Sequence, residues 1–237
     1  MIPLRDENPA RTTPYVVYVV IALNVILFAY NGSLTRTSHN PLAGFELVPA
    51  NLMGGHALGG PVPIAPWLTV FTSMFLHANL FHIAGNMLYL WIFGNNIEDV
   101  LGHFKFVIFY LLCGIGAGAA QVLADPASHM PMVGASGAIA GVLGAYLILF
   151  PRARVVSLLF LFYYVQVTEL PASLVLGFWI VIQVVSTLFM GRGMGGGVAY
   201  AAHVGGFATG IAIIYMLGGK RLLGGRRSIE YGTRYRW

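Results

Sequence analysis

A serine and a histidine in two separate apolar segments are the first residues here whose types suggest chemistry. Ser136 lies within Gly134-Ala135-Ser136-Gly137, where the neighbouring side chains are too small to shield its hydroxyl. His203 lies near the start of a later apolar segment. An imidazole within hydrogen-bond reach of a serine hydroxyl can act as the general base that activates a nucleophile. For Ser136 taken alone, the alternative is an ordinary serine at a helix N-cap.

Two further polar residues, His82 and Asn86, are spaced to act together. They stand four positions apart, so on a helix they share a face and can donate hydrogen bonds to one point. Two such donors suit an oxyanion site. A structural polar network between helices is the alternative. His77 lies about 140° around a helix from His82, which predicts a structural role as a partner of the long first loop.

The elements that carry these residues are apolar enough to be membrane helices. Of the 237 residues, 57% are hydrophobic and 9% are charged, and the mean hydropathy is +0.76. This composition indicates a membrane protein. Nucleic acid is not a predicted partner, because most basic residues lie beside apolar segments, where membrane topology explains them. The single cysteine, Cys113, cannot form an intrachain disulfide.

Six segments approach or reach the roughly 20 apolar residues that a membrane-spanning helix needs. They are residues 15–31, 79–97, 104–124, 136–150, 171–190 and 198–218. The loop from Gly32 to Pro66 is predicted to fold on one membrane face, because its backbone would go unpaired in lipid. The segment from Val155 to Val167 is too short to cross and is assigned to the membrane interface. A seventh span is the main competing count.

The distribution of positive charge predicts the orientation. With six spans and a cytoplasmic N-terminus, eleven of the 13 Lys and Arg residues are cytoplasmic, leaving Arg36 and Arg192 outside. The predicted organisation is a cytoplasmic segment over residues 1–14, a six-helix membrane domain over 15–218 and a basic cytoplasmic tail over 219–237. The first helix is read as retained rather than cleaved as a signal peptide. The predicted location is a plasma (inner) membrane.

The fourth segment is short, which affects the depth of Ser136. Its 15 residues, from Ser136 to Phe150, measure about 22 Å as a helix, whereas the hydrocarbon core is about 30 Å thick. If Arg152 holds the inner end at the cytoplasmic interface, Ser136 lies roughly 8 Å below the outer interface. His203 and His82 are predicted at similar depth, near the outer ends of their own segments.

Small residues predict how the fourth and sixth segments pack. One stripe at helical spacing is Ser136, Gly137, Ala140, Gly141 and Gly144, and the other is Gly196, Ala199, His203, Gly206 and Gly210. Two faces of small residues allow helix backbones to approach closely. We therefore expect the two faces to meet and to bring the imidazole of His203 to the hydroxyl of Ser136.

Acidic residues are absent from the middle of every predicted span. All eight Asp and Glu residues fall in loops, tails or span ends. This pattern argues against carboxylate-driven ion transport, which needs ionisable groups inside the membrane. It also leaves Ser136 and His203 as a dyad with no evident acidic third member.

Taken together, the motifs resemble the rhomboid family of intramembrane serine proteases over about residues 70–215. The resemblance rests on His77-x4-His82-x3-Asn86-Met87 followed by Trp91-x-Phe93-Gly94, on Gly134-Ala135-Ser136-Gly137, and on Ala202-His203-x2-Gly206-x3-Gly210. It implies an all-α, six-transmembrane-helix rhomboid-like bundle with a large folded first loop. In some members an aromatic residue four positions after the serine stacks on the catalytic histidine, where this chain has Ala140.

The resemblance also implies roles for the site residues. Ser136 would be the nucleophile and His203 the general base, with an oxyanion site formed by the Ser136 backbone N–H and the side chains of His82 and Asn86. Structural support is assigned to His77, Gly134, Gly137 and Gly206. The implied substrates are membrane-anchored proteins in the lipid bilayer, cleaved near the outer surface without metal, ATP or another cofactor. The oligomeric state is left open.

Substrate access from lipid requires a side opening. The fifth segment and the glycine-rich link from Gly191 to Gly197 are predicted to be its mobile element, with Phe178 and Trp179 as candidate lining residues. Three alternative functions remain. These are a non-catalytic rhomboid-fold binder of transmembrane helices, a transporter, for which no convincing inverted repeat is found, and a zinc protease, which lacks a His-Glu-x-x-His motif.

Overall fold

Six long helices dominate the fold. The computed structural model describes residues 1–34, 42–54, 63–161, 164–189 and 198–224, and within these residues six helices have 14 or more residues. We label them α1 (Tyr15–Leu34), α2 (Leu80–Leu101), α3 (His103–Ala124), α4 (Ser136–Leu149), α5 (Ala172–Phe189) and α6 (Tyr200–Met216). Each helix coincides with one of the six predicted segments, so the predicted helical bundle is confirmed.

Helix α4 lies at the centre of the bundle, and α1 and α5 lie at its edge. Eleven of the 14 residues of α4 are buried, whereas α1 and α5 expose most of their large apolar side chains, as lipid-facing helices do. By length and composition α1, α3 and α5 can cross a membrane, and α4 and α6 are shorter apolar helices. The chain is therefore a multi-pass membrane protein, and the count of six spans stays a prediction.

Local signals set the ends of α2, which carries His82 and Asn86. Asn79 is in extended backbone, and its side chain accepts a hydrogen bond from the His82 backbone N–H at 2.9 Å, which caps the helix. Gly102, with a φ of 76°, ends α2 in a conformation that favours glycine. Helix α3 begins at the next residue.

A buried carboxylate from the last turn of α2 fixes the start of α1. Glu98 is fully buried and accepts hydrogen bonds from the backbone N–H groups of Val16 at 2.9 Å and Val17 at 2.8 Å. A carboxylate here satisfies N–H groups that lack partners within the helix and complements the helix dipole. Asp99 accepts from the backbone N–H and the hydroxyl of Thr12. The N-terminal segment is thus tied to the end of α2.

A three-stranded antiparallel sheet, which the sequence analysis did not predict, covers the same end of the bundle. Strand β1 (Ile2–Asp6) pairs with β2 (Arg154–Leu161), which pairs with β3 (Tyr164–Pro171). The β2–β3 hairpin connects α4 to α5, in the segment assigned to the membrane interface. A short continuous apolar run fits a strand or a helix equally well, so hydropathy did not reveal the hairpin.

At the opposite end, the first loop packs over the bundle. Leu47 forms an isolated bridge with Met132, and the Thr72 hydroxyl donates to the Phe45 carbonyl at 2.6 Å. The described part of this loop is therefore folded, as expected. Several predictions concern segments outside the described residues: the loop at 35–41 and 55–62 with Arg36, the Gly191 to Gly197 link with Arg192, and the tail beyond 224.

Candidate active site

Ser136 is the first residue of α4, at the end of the bundle that the first loop covers. Gly134, two residues earlier, has a φ of +122°, which residues with a Cβ rarely adopt. Its N–H donates to the Ser73 carbonyl at 2.9 Å, which holds this segment in place. The glycine lets the chain turn into α4 and leaves Ser136 at a helix N-terminus, where backbone N–H groups lack intrahelical partners.

His203 lies in the first turn of α6, and its Nε2 is 2.8 Å from the Oγ of Ser136. This distance is that of a hydrogen bond between a hydroxyl and a ring nitrogen. The structure therefore brings together the two residues that the sequence analysis paired. The two residues lie 67 positions apart in the sequence, on different helices.

Close approach of α4 and α6 makes this contact possible. Gly206 packs against the backbone carbonyl of Gly137, and Gly210 packs against that of Gly141. A methyl group at either glycine of α6 would overlap the facing backbone. The two predicted stripes of small residues thus face each other, as expected from their composition. Gly196, the first member of one stripe, lies outside the described residues.

His82 and Asn86 face Gly134 from the first two turns of α2. A Cβ built on Gly134 would lie 2.7 Å from His82 Nε2 and 3.5 Å from Asn86 Nδ2. Both residues line the same cavity as Ser136. Among the described residues, the buried Nδ2 of Asn86 has no hydrogen-bond partner. A buried donor without a partner costs free energy, so this N–H is available to an acceptor that enters the cavity.

His77 precedes α2 and packs edge-on against His82, with ring centroids 5.1 Å apart. Burial, with a smaller effect from His82, lowers the pKa of His77 to about 4, so the ring is neutral at physiological pH. His77 and Leu42 of the first loop both line the cavity that contains Ser136. His77 therefore lies between the loop and the site, and its structural role stays a prediction.

Two residues of α5 contact His203 that the sequence analysis did not place beside it. The Oε1 atom of Gln183 is 2.7 Å from His203 Nδ1. The Trp179 ring lies 5.6 Å from the imidazole, centroid to centroid, at an interplanar angle of 37°. The ring contact expected of an aromatic residue at the position of Ala140 thus comes from a different helix. Phe178, the other candidate gate residue, is 57% exposed.

The candidate site opens into a cavity of about 1450 Å³. Its lining includes Ser136, His203, His82, Asn86 and Trp179, together with the polar residues Gln121 and Asp125. A cavity of this size with several polar groups in its lining can hold the water that hydrolysis consumes. Within the described ranges, no group of three or more His, Cys, Asp or Glu residues is arranged to hold a metal ion. A nucleophile, a base in contact with it and a nearby pair of donors are the parts that acyl transfer requires.

Comparison with known proteins gives a family match over most of the chain. Residues 65–220 match the model described as the Rhomboid domain. The chain is 33% identical over 137 residues to Rhomboid protease GluP of Bacillus subtilis (strain 168), which covers 56% of this chain and 24% of that protein. It is 33% identical over 151 residues to Rhomboid protein 1, mitochondrial, of Saccharomyces cerevisiae, covering 61% and 40%.

A chloroplast protein gives a similar match. The chain is 28% identical over 160 residues to Rhomboid-like protein 11, chloroplastic, of Arabidopsis thaliana, which covers 64% of this chain and 52% of that protein. The chain therefore spans between about a quarter and a half of the lengths of these three relatives.

Proposed function

The chain belongs to the rhomboid family, and on that premise we propose that it is an intramembrane serine endopeptidase. It cleaves membrane-anchored proteins in or near their transmembrane segments through a dyad of Ser136 and His203. The observation that carries this proposal is the 2.8 Å contact between Ser136 Oγ and His203 Nε2. The same intact pair argues against a family member that binds transmembrane helices without cutting them.

The first half of the reaction acylates Ser136. Its hydroxyl gives a proton to His203 Nε2 as Oγ attacks the scissile carbonyl carbon. The negative charge that develops on the carbonyl oxygen is stabilised by the Ser136 backbone N–H and by the side chains of His82 and Asn86. The C–N bond then breaks, and the leaving amine takes the proton from His203.

The second half releases the acyl group. Water in the cavity gives a proton to His203 as its oxygen attacks the ester carbon. The same donors stabilise the second oxyanion. The bond to Ser136 Oγ then breaks, and His203 returns the proton to that oxygen. No group outside the chain and the substrate is needed besides water.

The substrate must expose a peptide bond that a transmembrane helix normally hides. Substrates whose helix is weakened by Gly, Ala or Pro near the outer interface unwind most readily. Helix α5 lies at the edge of the bundle, with apolar side chains facing outward and Trp179 against the site. We propose that substrates reach the cavity from the lipid beside α5.

We further propose that both termini are cytoplasmic and that the site opens towards the outside of a plasma (inner) membrane. Pairing of β1 with β2 and the Tyr146–Asp6 hydrogen bond put the N-terminus and the β2–β3 hairpin at one end of the bundle. Arg152 lies at this end and Ser136 at the other, which supports the orientation drawn from the charge bias. Two relatives are named as mitochondrial or chloroplastic; the membrane that holds this chain stays a prediction.

The dyad is tested with a single-span substrate reconstituted in proteoliposomes. We expect Ser136→Ala and His203→Ala each to lower the cleavage rate by roughly 10⁴-fold or more, because neither half of the dyad works alone. Ser173→Ala and His129→Ala make the same chemical changes at exposed positions and should cleave normally. Cleavage by a folded Ser136→Ala protein at near the wild-type rate would contradict the proposal, and abolition of wild-type cleavage by a chelator would favour a metalloprotease.

A further inference from the structure

Gln183 is a buried polar residue on a helix that exposes most of its large apolar side chains. It is 7% exposed, whereas its neighbours Ile182 and Val184 are 42% and 38% exposed. Burying an amide among apolar helices is unfavourable unless its polar atoms are bonded. Both ends of this amide have partners. Oε1 lies 2.7 Å from His203 Nδ1, and Nε2 lies 3.4 Å from the carbonyl oxygen of Trp179.

These partners determine which way the amide points and where the imidazole proton lies. The Trp179 carbonyl only accepts hydrogen bonds, so the amide nitrogen faces it and Oε1 faces His203. Because Oε1 also only accepts, the proton of the neutral imidazole lies on Nδ1. Nε2 is then free of a proton and accepts from the Ser136 hydroxyl. A directional chain of hydrogen bonds runs from Ser136 to the backbone of α5.

The other neutral tautomer, with the proton on Nε2, fits the surroundings of His203 poorly. It would place the lone pair of His203 Nδ1 against the lone pairs of Gln183 Oε1, so this buried contact would no longer be a hydrogen bond. It would also remove the acceptor that Ser136 needs. When Nε2 takes the serine proton, Oε1 still accepts from Nδ1–H, so the amide favours the charged ring by its dipole. A neutral amide does this without the cost of placing a carboxylate inside the membrane.

We propose that Gln183 is the positioning residue of the dyad, holding His203 in the tautomer and ring orientation in which Nε2 accepts the proton of Ser136. The inference rests on the proposed function. Trp179 stands four residues earlier on α5 and packs against the same ring. Helix α5 therefore fixes the base through one hydrogen bond and one ring contact.

The test compares two substitutions of nearly equal length with a matched control. Gln183→Met lacks the acceptor oxygen, Gln183→Glu retains one, and Gln166→Met makes the same change on exposed β3 at the other end of the bundle. Two rates are measured on the full chain in proteoliposomes. One is cleavage of a single-span substrate, resolved into kcat and KM. The other is phosphonylation of Ser136 by a small fluorophosphonate, in which Oγ attacks phosphorus and displaces fluoride.

Loss of the acceptor should slow the chemistry. We expect Gln183→Met to lower kcat and the labelling rate by roughly 10- to 100-fold with KM changed less than about twofold, as for other groups that orient a functional histidine. Gln183→Glu should recover much of both rates, and Gln166→Met should match wild type. Wild-type kcat and labelling in Gln183→Met would overturn the inference. A rise in KM alone would also overturn it, since Gln183 would then only hold α5 in place.

A spectroscopic readout separates this inference from the proposed function. Nitrogen-15 NMR of histidine-labelled protein reports the tautomer of His203, whose signal is assigned by its loss in His203→Ala. We expect Nδ1–H in wild type and a mixture of tautomers in Gln183→Met. A wild-type ring protonated on Nε2 overturns the inference whether or not the protein cleaves anything. Absence of both cleavage and labelling in wild type would instead refute the proposed function.

Discussion

At the scale of single residues, the proposed catalytic role of Asn86 can be tested directly by kinetics. Its buried amide nitrogen has no partner among the described residues and lies beside Gly134, two positions before Ser136. A donor kept for the oxyanion strengthens its hydrogen bond as charge develops, so it acts on the transition state more than on substrate binding. The neighbouring donors His82 and the Ser136 N–H would share that charge.

We therefore predict that Asn86→Ala is a slow enzyme with nearly unchanged KM. Removing one donor from an oxyanion site typically lowers kcat on the order of 10² to 10³-fold, and the remaining donors here would soften that loss. Steady-state kinetics on the reconstituted substrate measure the effect, with Asn95→Ala on the far end of α2 as control. An increase in KM with kcat intact would identify Asn86 as a substrate-binding or structural residue.

At the scale of elements, a hydrogen bond joins the N-terminal strand to the central helix. The Tyr146 hydroxyl of α4 donates to Asp6 Oδ2 of β1 at 2.6 Å. Burial raises the pKa of Asp6 to about 6, although the hydrogen bonds from Tyr146 and from the backbone act in the opposite direction. Because the folded state binds this proton more tightly than the unfolded chain does, the free energy of unfolding must fall as the pH rises past the unfolded value.

We predict that this contribution to stability is fully present below about pH 4 and is lost as the pH rises through about 6. The loss should be on the order of 1 kcal/mol after allowance for solvent screening. Asp6→Asn should remove it, because an amide oxygen accepts from Tyr146 at any pH. Unfolding in detergent between pH 4 and 7 measures the difference, with the exposed Glu7→Gln as control. An identical pH slope in Asp6→Asn and wild type would contradict the assignment.

At the scale of the whole molecule, the bundle has two chemically different ends. One end carries the sheet, the Glu98 and Asp99 contacts to the N-terminal segment and the connection from α2 to α3. The other end carries the described part of the first loop and the candidate site. Because the basic residues of the sheet and of the α4–α5 connection lie at the first end, the positive-inside rule predicts that this end is cytoplasmic.

We predict that a membrane-impermeant thiol reagent distinguishes the two ends in intact cells. In a Cys113→Ala background, a cysteine at the exposed Met130 should be labelled from outside, and one at Arg152 should be labelled only after permeabilisation. The basic tail, for example at position 227, should behave like Arg152. Labelling of position 152 or 227 in intact cells would reverse or refute the predicted topology.

The sequence by itself determined the six long helices and most residues of the candidate site, but not the sheet. Helix positions followed from the lengths of apolar runs, and the approach of α4 to α6 followed from two stripes of small residues. Apolar runs and stripes of small residues are both patterns within single segments, so they can be read from the sequence alone. Ser136, His203, His82 and Asn86 stood out because polar groups are rare inside apolar segments.

Only the tertiary structure decided which groups complete the surroundings of His203 and what ties down the N-terminus. Gln183 is neutral, so a search for ionisable residues passed over it, and its contact with His203 depends on which face of α5 meets α6. Pairing of β1 with β2 joins residues about 150 positions apart, and Glu98 caps a helix 81 positions earlier. Such contacts depend on how whole elements pack, and no local pattern in the sequence encodes that packing.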